Sequence, residues 1–197
     1  TSPYELTLLV PKNFMGAFGN EVKYVSSSGF FHARIFHLSP TFDVWHSIHQ
    51  LSHFKPRSEH TKLILTIHDL NYLYEKKEGS KRRNHEGRQH KIERADVIVG
   101  ISNFTKTEVV NKLQLHGKET EVIHNRVPVL DKSSGVPPDF EIKQPFFFTL
   151  GVVKKKKNFH TLLDLMKLCP DTHLYIVGDG ADDEGNEYAM AMKERIE

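Results

Sequence analysis

Four consecutive lysines occupy positions 154–157, between an apolar run ending at Leu150 and a segment with helical periodicity from Asn158. A helix N-terminus already carries partial positive charge from aligned peptide dipoles, so cations there cost on the order of a few tenths of a kcal/mol each. A bound anion reverses that sign. Backbone N–H groups, the helix dipole and lysine ammoniums, those of Lys156 and Lys157 nearest the helix, then converge on a phosphate. Gly151, which closes the apolar run, lets the backbone pass close to such a ligand. The sequence VGDG from Val177 makes a second apolar run with a glycine turn, carrying Gly178 and Gly180. The bland alternative is a solvated loop. A nucleic-acid patch is the third reading. The interleaved aromatics that would stack bases are missing, and the other basic stretch, within residues 78–94, is broken by Glu86.

Histidines form the other group with chemistry in it. His68 and Asp69 directly follow the apolar run 62–67. At the end of a strand, such a pair faces the place where ligands of parallel sheets sit. His46, His49 and His53 stand three and four residues apart. That spacing suits metal ligands on one helix face. The preferred reading has His46 ending a strand and the others lining a loop or cleft. The thirteen histidines include no HExxH and no Cys/His finger spacing, so no metal is expected.

The elements that must position these groups alternate. Strands are expected at 6–10, 42–45, 62–67, 97–101, 122–123, 146–150 and 173–177, most of them short, continuous and apolar. Strands buried on both faces of a parallel sheet read this way. A helix over 105–113 follows Ser102 and Asn103, either of which can cap it, and carries Val109, Val110 and Leu113 on one stripe. A helix from Asn158 places Phe159, Leu162, Leu163 and Met166 on its core face. A last helix over 183–197 carries Tyr188, Ala191, Met192 and Ile196 on one side. The polar stretch 78–94 reads as a solvated helix, preceded by a flexible break and fixed at its ends. Strand and helix in alternation predict an α/β doubly wound, Rossmann-like fold. The Pro-, Gly- and Ser-rich stretch ending at Pro145 breaks the pattern and reads as a linker. The expected organisation is a domain over 1–127, a linker over 128–145, and the beginning of a second, truncated Rossmann-like domain over 146–197.

Composition narrows the function. Lys plus Arg is 27 and Asp plus Glu is 25, a net charge of +2. That balance argues against a nucleic-acid-coating protein. The single cysteine, Cys169, excludes an intrachain disulfide framework and fits a reducing compartment. No apolar run approaches the roughly 20 residues that span a bilayer.

Five motifs in order resemble the family 4 glycosyltransferases, retaining enzymes of the GT-B fold. KLILTIHDLNYL is similar to the family's strand ending in His-Asp. ADVIVGISNFTKTEVV resembles its segment with Ser-x-Phe-Thr-Lys. EVIHNRVPV is similar to its approach to the inter-domain linker. FFFTLGVVKKKKNFHTLLDLM resembles its donor-phosphate loop, with Gly151, Lys157 and Asn158 near the family spacing. HLYIVGDG is similar to the strand and glycine turn that follow. Together they cover residues 62–180.

The resemblance implies two Rossmann-like domains, the first taking the acceptor and the second a nucleotide-sugar. It implies a metal-independent reaction with no cofactor, His68 as the catalytic residue near the reacting carbon, and Gly151, Lys156 and Lys157 on the donor phosphates. Gly178 and Gly180 would lie at the nucleotide, and His46, Asp69 and Ser102 at the acceptor cleft. The acceptor is expected to be a glycan or a lipid-linked acceptor of polysaccharide biosynthesis, with no nucleic-acid partner. The expected location is the cytoplasm, with peripheral contact at the inner membrane face. Four departures stand beside this. Val152 replaces a frequent Arg, and Asn125-Arg126 replaces Asn-Gly. The run 6–10 looks like the family's second strand rather than its first. The paired glutamates that hold the donor are not reached, so residues 1–197 alone are expected to be inactive. Two alternatives remain. One is a glycosyltransferase-like scaffold or binding module without the chemistry. The other is an HD-type phosphohydrolase built on His68-Asp69, which requires the dyad on a helix with further metal ligands.

Overall fold

The computed structural model describes residues 3–27, 42–56, 58–127, 135–180 and 185–196. The expected linker up to residue 134 and the expected helix start at 183–184 lie outside the described residues. The chain divides into two compact units, Thr1–Pro128 and Val129–Glu197.

In the first unit, β1 (Thr7–Val10) pairs in parallel with β2 (Lys23–Ser26). A separate sheet joins β3 (Val44–Ser47), β4 (Lys62–Ile67), β5 (Val97–Gly100) and β6 (Glu119–Val122), all parallel and in chain order. Helices α1 (Tyr72–Glu75) and α2 (Glu78–Arg94) connect β4 to β5, and α3 (Asn103–Lys112) connects β5 to β6. The strand order steps one way throughout, so right-handed crossovers bring α2 and α3 to the same face. That face holds the core: Leu63, Leu65 and Ile67 of β4 and Ile98 of β5 pack with Tyr72, Ile92, Val109 and Leu113. On the opposite pleat Thr66 and Val99 are buried as well. Burial of both pleats explains why β4 reads as an unbroken apolar run. The mixed α/β architecture with parallel sheets is the one expected.

Local boundaries differ from the expectations in instructive ways. The strand expected at 122–123 is β6, Glu119–Val122, which alternates exposed and half-buried residues as an outer strand does. In α3 the buried stripe is Thr105, Val109 and Leu113, while Val110 faces solvent. Ser102 caps the helix, its Oγ accepting the Thr105 N–H at 3.1 Å. Helix α2 buries only Ile92, as a solvated helix would. Its polar side chains nevertheless dock it. Lys91 Nζ donates to Gln50 O at 2.6 Å and Ser52 O at 2.8 Å, and Arg94 Nη2 donates to Ser58 O at 3.0 Å.

Asp96 ties β4 to the start of β5. Its Oδ2 accepts the Leu63 N–H at 2.8 Å and its Oδ1 accepts from Lys62 Nζ at 3.1 Å. The Leu63 N–H bond does most to hold this carboxyl below its usual range. Partial burial opposes it, and Lys62 and Arg94 add to it. A depressed folded-state pKa stabilises the fold above the unfolded value of about 3.9, and that stability disappears as pH falls through the folded value. Asp96→Asn is therefore expected to be less stable than the parent at pH 7, with the gap closing as pH drops below about 4. Denaturant midpoints measured from pH 7 to pH 3 check this; a gap independent of pH would contradict the charge argument.

In the second unit, β7 (Phe146–Leu150) pairs in parallel with β8 (His173–Val177). Helix α4 (His160–Met166) lies between them in sequence, and α5 (Glu187–Ile196) follows β8. The core gathers Val153, Phe159, Ala189 and Met192, with Leu162, Leu163, Ile176 and Tyr188 packed around it. Three expectations are corrected. Phe146, Phe147 and Phe148 are not buried on both faces; Phe148 is 60% exposed. The described sheet here has two strands, too few to sandwich β7. On α5, Ala189 replaces Ala191 in the core, and Ile196 is exposed. The helix expected from Asn158 begins at His160, because residues 155–157 form a separate 3₁₀ turn and Asn158 takes a left-handed φ of 58°. Asn tolerates that conformation better than most residues.

Candidate functional site

The first unit gathers its chemistry where the parallel strands end. Beyond β3 the chain turns at His49 to Ser52 (Ser52 N–H to His49 O, 3.0 Å). Beyond β4 come His68 and Asp69. The two loops are joined by Gln50. Its Oε1 accepts the His68 N–H at 2.9 Å, and its Nε2 donates to Asp69 O at 3.1 Å. From the other side, Thr105 Oγ1 donates to His68 O at 3.2 Å. That leaves Thr105 Oγ1 as the acceptor in its 3.1 Å contact with Ser102 Oγ. Both backbone polar atoms of His68 are thereby fixed.

The ring of His68 is fixed too. Its Nε2 lies 2.9 Å from Ile48 O. A carbonyl only accepts, so Nε2 carries the proton, and in the neutral ring Nδ1 is the acceptor nitrogen. The ring tilts against that of His49, centroids 4.7 Å apart. His49 Nδ1 accepts the Leu51 N–H at 3.0 Å. Burial lowers the His49 pKa most. The charges of His68, Lys91 and Arg88 lower it further, and Asp69 partly opposes them. A group kept neutral in this way suits hydroxyl partners better than phosphate.

The other predicted residues of this unit sort as follows. Asp69 is exposed, and its Oδ1 accepts the Asn71 N–H at 3.1 Å, closing a turn. Ser102 is occupied as a helix cap beside the His68 carbonyl. His46 stands within β3 rather than in the loop cluster, with Nε2 2.8 Å from Thr66 Oγ1, and burial lowers its pKa. His49 is in the turn and His53 in the irregular segment after it, so the three histidines share no helix face. Among the described residues, no group of three or more His, Cys, Asp or Glu side chains is arranged to hold a metal ion.

In the second unit, Gly151, Lys157, Gly178 and Gly180 come together at the carboxyl ends of β7 and β8. The Gly151 N–H donates to Val177 O and the Val153 N–H to Asp179 O, both at 2.9 Å. The Gly151 and Gly178 backbones touch so closely that a Cβ at 178 would lie 1.8 Å from Gly151 O. Lys157 runs back along the same turn, its Cε 4.0 Å from where a Cβ on Gly151 would stand. Lys156 is exposed beside it. The supply of backbone N–H groups differs from the expected one. Those of Lys157, Asn158, Thr161 and Leu162 bond to preceding carbonyls, and that of His160 bonds to Tyr188 Oη at 2.9 Å. With those donors occupied and α4 only seven residues long, the positive charge at this edge comes chiefly from lysine side chains.

Two residues that organise these edges escaped sequence reasoning. Gln50 is one. Asn186 is the other: its Nδ2 donates to Val153 O at 2.7 Å and Gly180 O at 2.9 Å, while its Oδ1 caps α5 by accepting the Ala189 N–H at 3.3 Å. An Asn just before an amphipathic helix is a readable cap signal. The signal for Gln50 is weaker, because its partners are backbone atoms of a distant loop.

The family model described as Glycosyltransferase Family 4 matches residues 7–129. The match takes in His46, His49, Gln50, His68, Asp69 and Ser102, and it ends before Gly151 and the lysines. No curated protein and no solved structure matches the chain.

Proposed function

The chain belongs to glycosyltransferase family 4, and on that premise we propose that it moves a sugar from a nucleotide-sugar to a glycan or lipid-linked acceptor, with retention and without a metal or other cofactor. The observation that carries the donor assignment is Lys157 folded back against Gly151 at the carboxyl end of β7. An ammonium beside a glycine turn suits a diphosphate, with Lys156 adjacent. In the reaction the bond from the anomeric carbon to the diphosphate oxygen breaks. The acceptor oxygen bonds to that carbon from the same face, and its proton passes to the departing phosphate. The neutral ring of His49 and the acceptor Nδ1 of His68 suit sugar hydroxyls in the first unit. A place in polysaccharide assembly, in the cytoplasm with peripheral contact at the inner membrane face, completes the proposal. It accords with the fact that no helix of the described residues is long and apolar enough to cross a membrane.

The experiment is transfer from a panel of uridine- and guanosine-diphosphate hexoses by the full-length protein, with and without EDTA. Turnover is expected to survive EDTA. Lys157→Ala is expected to lower kcat/KM by about 100-fold, the effect of losing one electrostatic contact to developing charge. Lys154→Ala, at the far end of the run, is expected to change it less. Unchanged kinetics in Lys157→Ala would remove the phosphate assignment, and loss of turnover in EDTA would remove the metal-free one.

A further inference from the structure

We propose that Gln50 is a positioning residue for His68, setting the orientation and tautomer of its imidazole. The inference rests on the proposed role of His68 for its kinetic consequences, and on geometry alone for the rest. Gln50 is buried, 3% exposed. A buried amide is retained only where its groups are paired. Here it pairs with two backbone groups that the sheet leaves over. The ladder between β3 and β4 ends at Ser47 and Leu65, so the His68 N–H and the Asp69 carbonyl have no strand partner on that side. The carboxamide takes the place of the missing strand, accepting from one and donating to the other, at 2.9 and 3.1 Å.

Among side chains of this length, only the carboxamide of Gln does both. Glu accepts the His68 N–H but turns an anion toward the Asp69 carbonyl. Met fills the volume and leaves both backbone groups unpaired. The same residue also fixes the far end of the His68 ring. Ile48 O, which receives Nε2–H, belongs to the same turn, two residues before Gln50. Lys91 clamps that turn through Gln50 O and Ser52 O. Gln50 thus locks the turn carrying the ring's acceptor to the loop carrying the ring. The lock keeps the proton on Nε2 and leaves Nδ1 as acceptor.

The test is Gln50→Met and Gln50→Glu in the full-length protein, alone and combined with His68→Ala, read by two methods. Long-range 15N NMR of the histidine rings, with the His68 signals identified by their loss in His68→Ala, reports the tautomer directly. The parent is expected to show the Nε2–H form, and Gln50→Met a mixture of both tautomers. Turnover is measured with the most active hexose donor of the uridine and guanosine panel. Gln50→Met is expected to lower kcat by about 10- to 100-fold, with donor KM changed much less, because a displacement of ~1 Å is enough for such a loss. Gln50→Glu, which keeps one of the two bonds, is expected to fall between. In the His68→Ala background, Gln50→Met is expected to add little. An unchanged tautomer in Gln50→Met, even with a lowered melting temperature, would show a merely structural role and overturn the proposal. So would an equal kcat loss in the His68→Ala background. If His68→Ala itself turned over normally, the function proposed for His68 would fail, while the NMR signature would still decide what Gln50 does to the ring.

Discussion

Gly178→Ala is expected to destabilise the second unit by roughly 3 kcal/mol or more, at the upper end of overpacking effects. The reason is a backbone contact, not a conformational demand. A methyl at 178 would lie 1.8 Å from Gly151 O and 2.8 Å from its carbonyl carbon. A flexible side chain could swing away; a carbonyl held by the Gly151 N–H to Val177 O bond on its own residue cannot move without opening the turn. The two strands must then separate at their carboxyl ends, where Lys157 lies. Gly180→Ala is the matched control. There the nearest atom is Asn186 Nδ2 at 3.4 Å, and the penalty comes from a φ of +78°, which costs on the order of 1 kcal/mol. Thermal melts of the two variants should therefore separate clearly, with Gly178→Ala the lower. Equal melting temperatures would overturn the close-packing account of Gly178. The result also bears on what Gly178 is for: close packing gives the position a reason to be glycine that needs no nucleotide.

What the sequence makes legible depends on where the partners of each residue lie. Strand β4 is readable because both of its pleats are covered, so KLILTI carries its burial in its own composition. Strand β2 is not readable, since KYVS is four residues long, begins with an exposed Lys and, among the described residues, pairs with a single neighbour. The run FFFTL misleads in the opposite direction: its residues are apolar, yet the two-stranded sheet leaves most of them exposed. The lysine run was legible as a cluster of charge. Its backbone was not fully so, because the His160 N–H is taken by the Tyr188 hydroxyl from 28 positions away. His68 could be placed at the end of a strand from its local run alone. Its setting could not, since Gln50, Ile48 and Thr105 reach it from 18, 20 and 37 residues away. A polar side chain that serves backbone atoms leaves no periodic trace.

His68→Ala is expected to lower kcat by about 100-fold, the typical loss when one electrostatic contact made in the transition state is removed, and to raise the donor KM by much less. The pattern follows from when the contact forms. With Nε2–H held by Ile48 O, the neutral form of the ring would have Nδ1 to offer a sugar hydroxyl. In the proposed reaction, as the anomeric carbon loses its diphosphate and becomes oxocarbenium-like, that hydroxyl would grow more acidic and its bond to Nδ1 would strengthen. An interaction stronger in the transition state than in the ground state appears in kcat rather than in KM. In the proposed mechanism the imidazole need not act as a base, because the departing phosphate would take the acceptor proton. The fold is expected to survive the change. Gln50 and Thr105 grip the backbone of residue 68, not its ring, so Ala keeps those bonds. What is lost is one hydrogen bond to Ile48 and the contact with His49, together about 1 kcal/mol. That corresponds to a drop in Tm of roughly 4 °C for a unit of this size. Steady-state kinetics and a thermal melt on the same preparation decide the matter. A Tm lowered by many degrees with normal turnover would make His68 a packing residue of the loop cluster. A kcat loss with a near-native melt would support the proposed contact of His68 with the sugar.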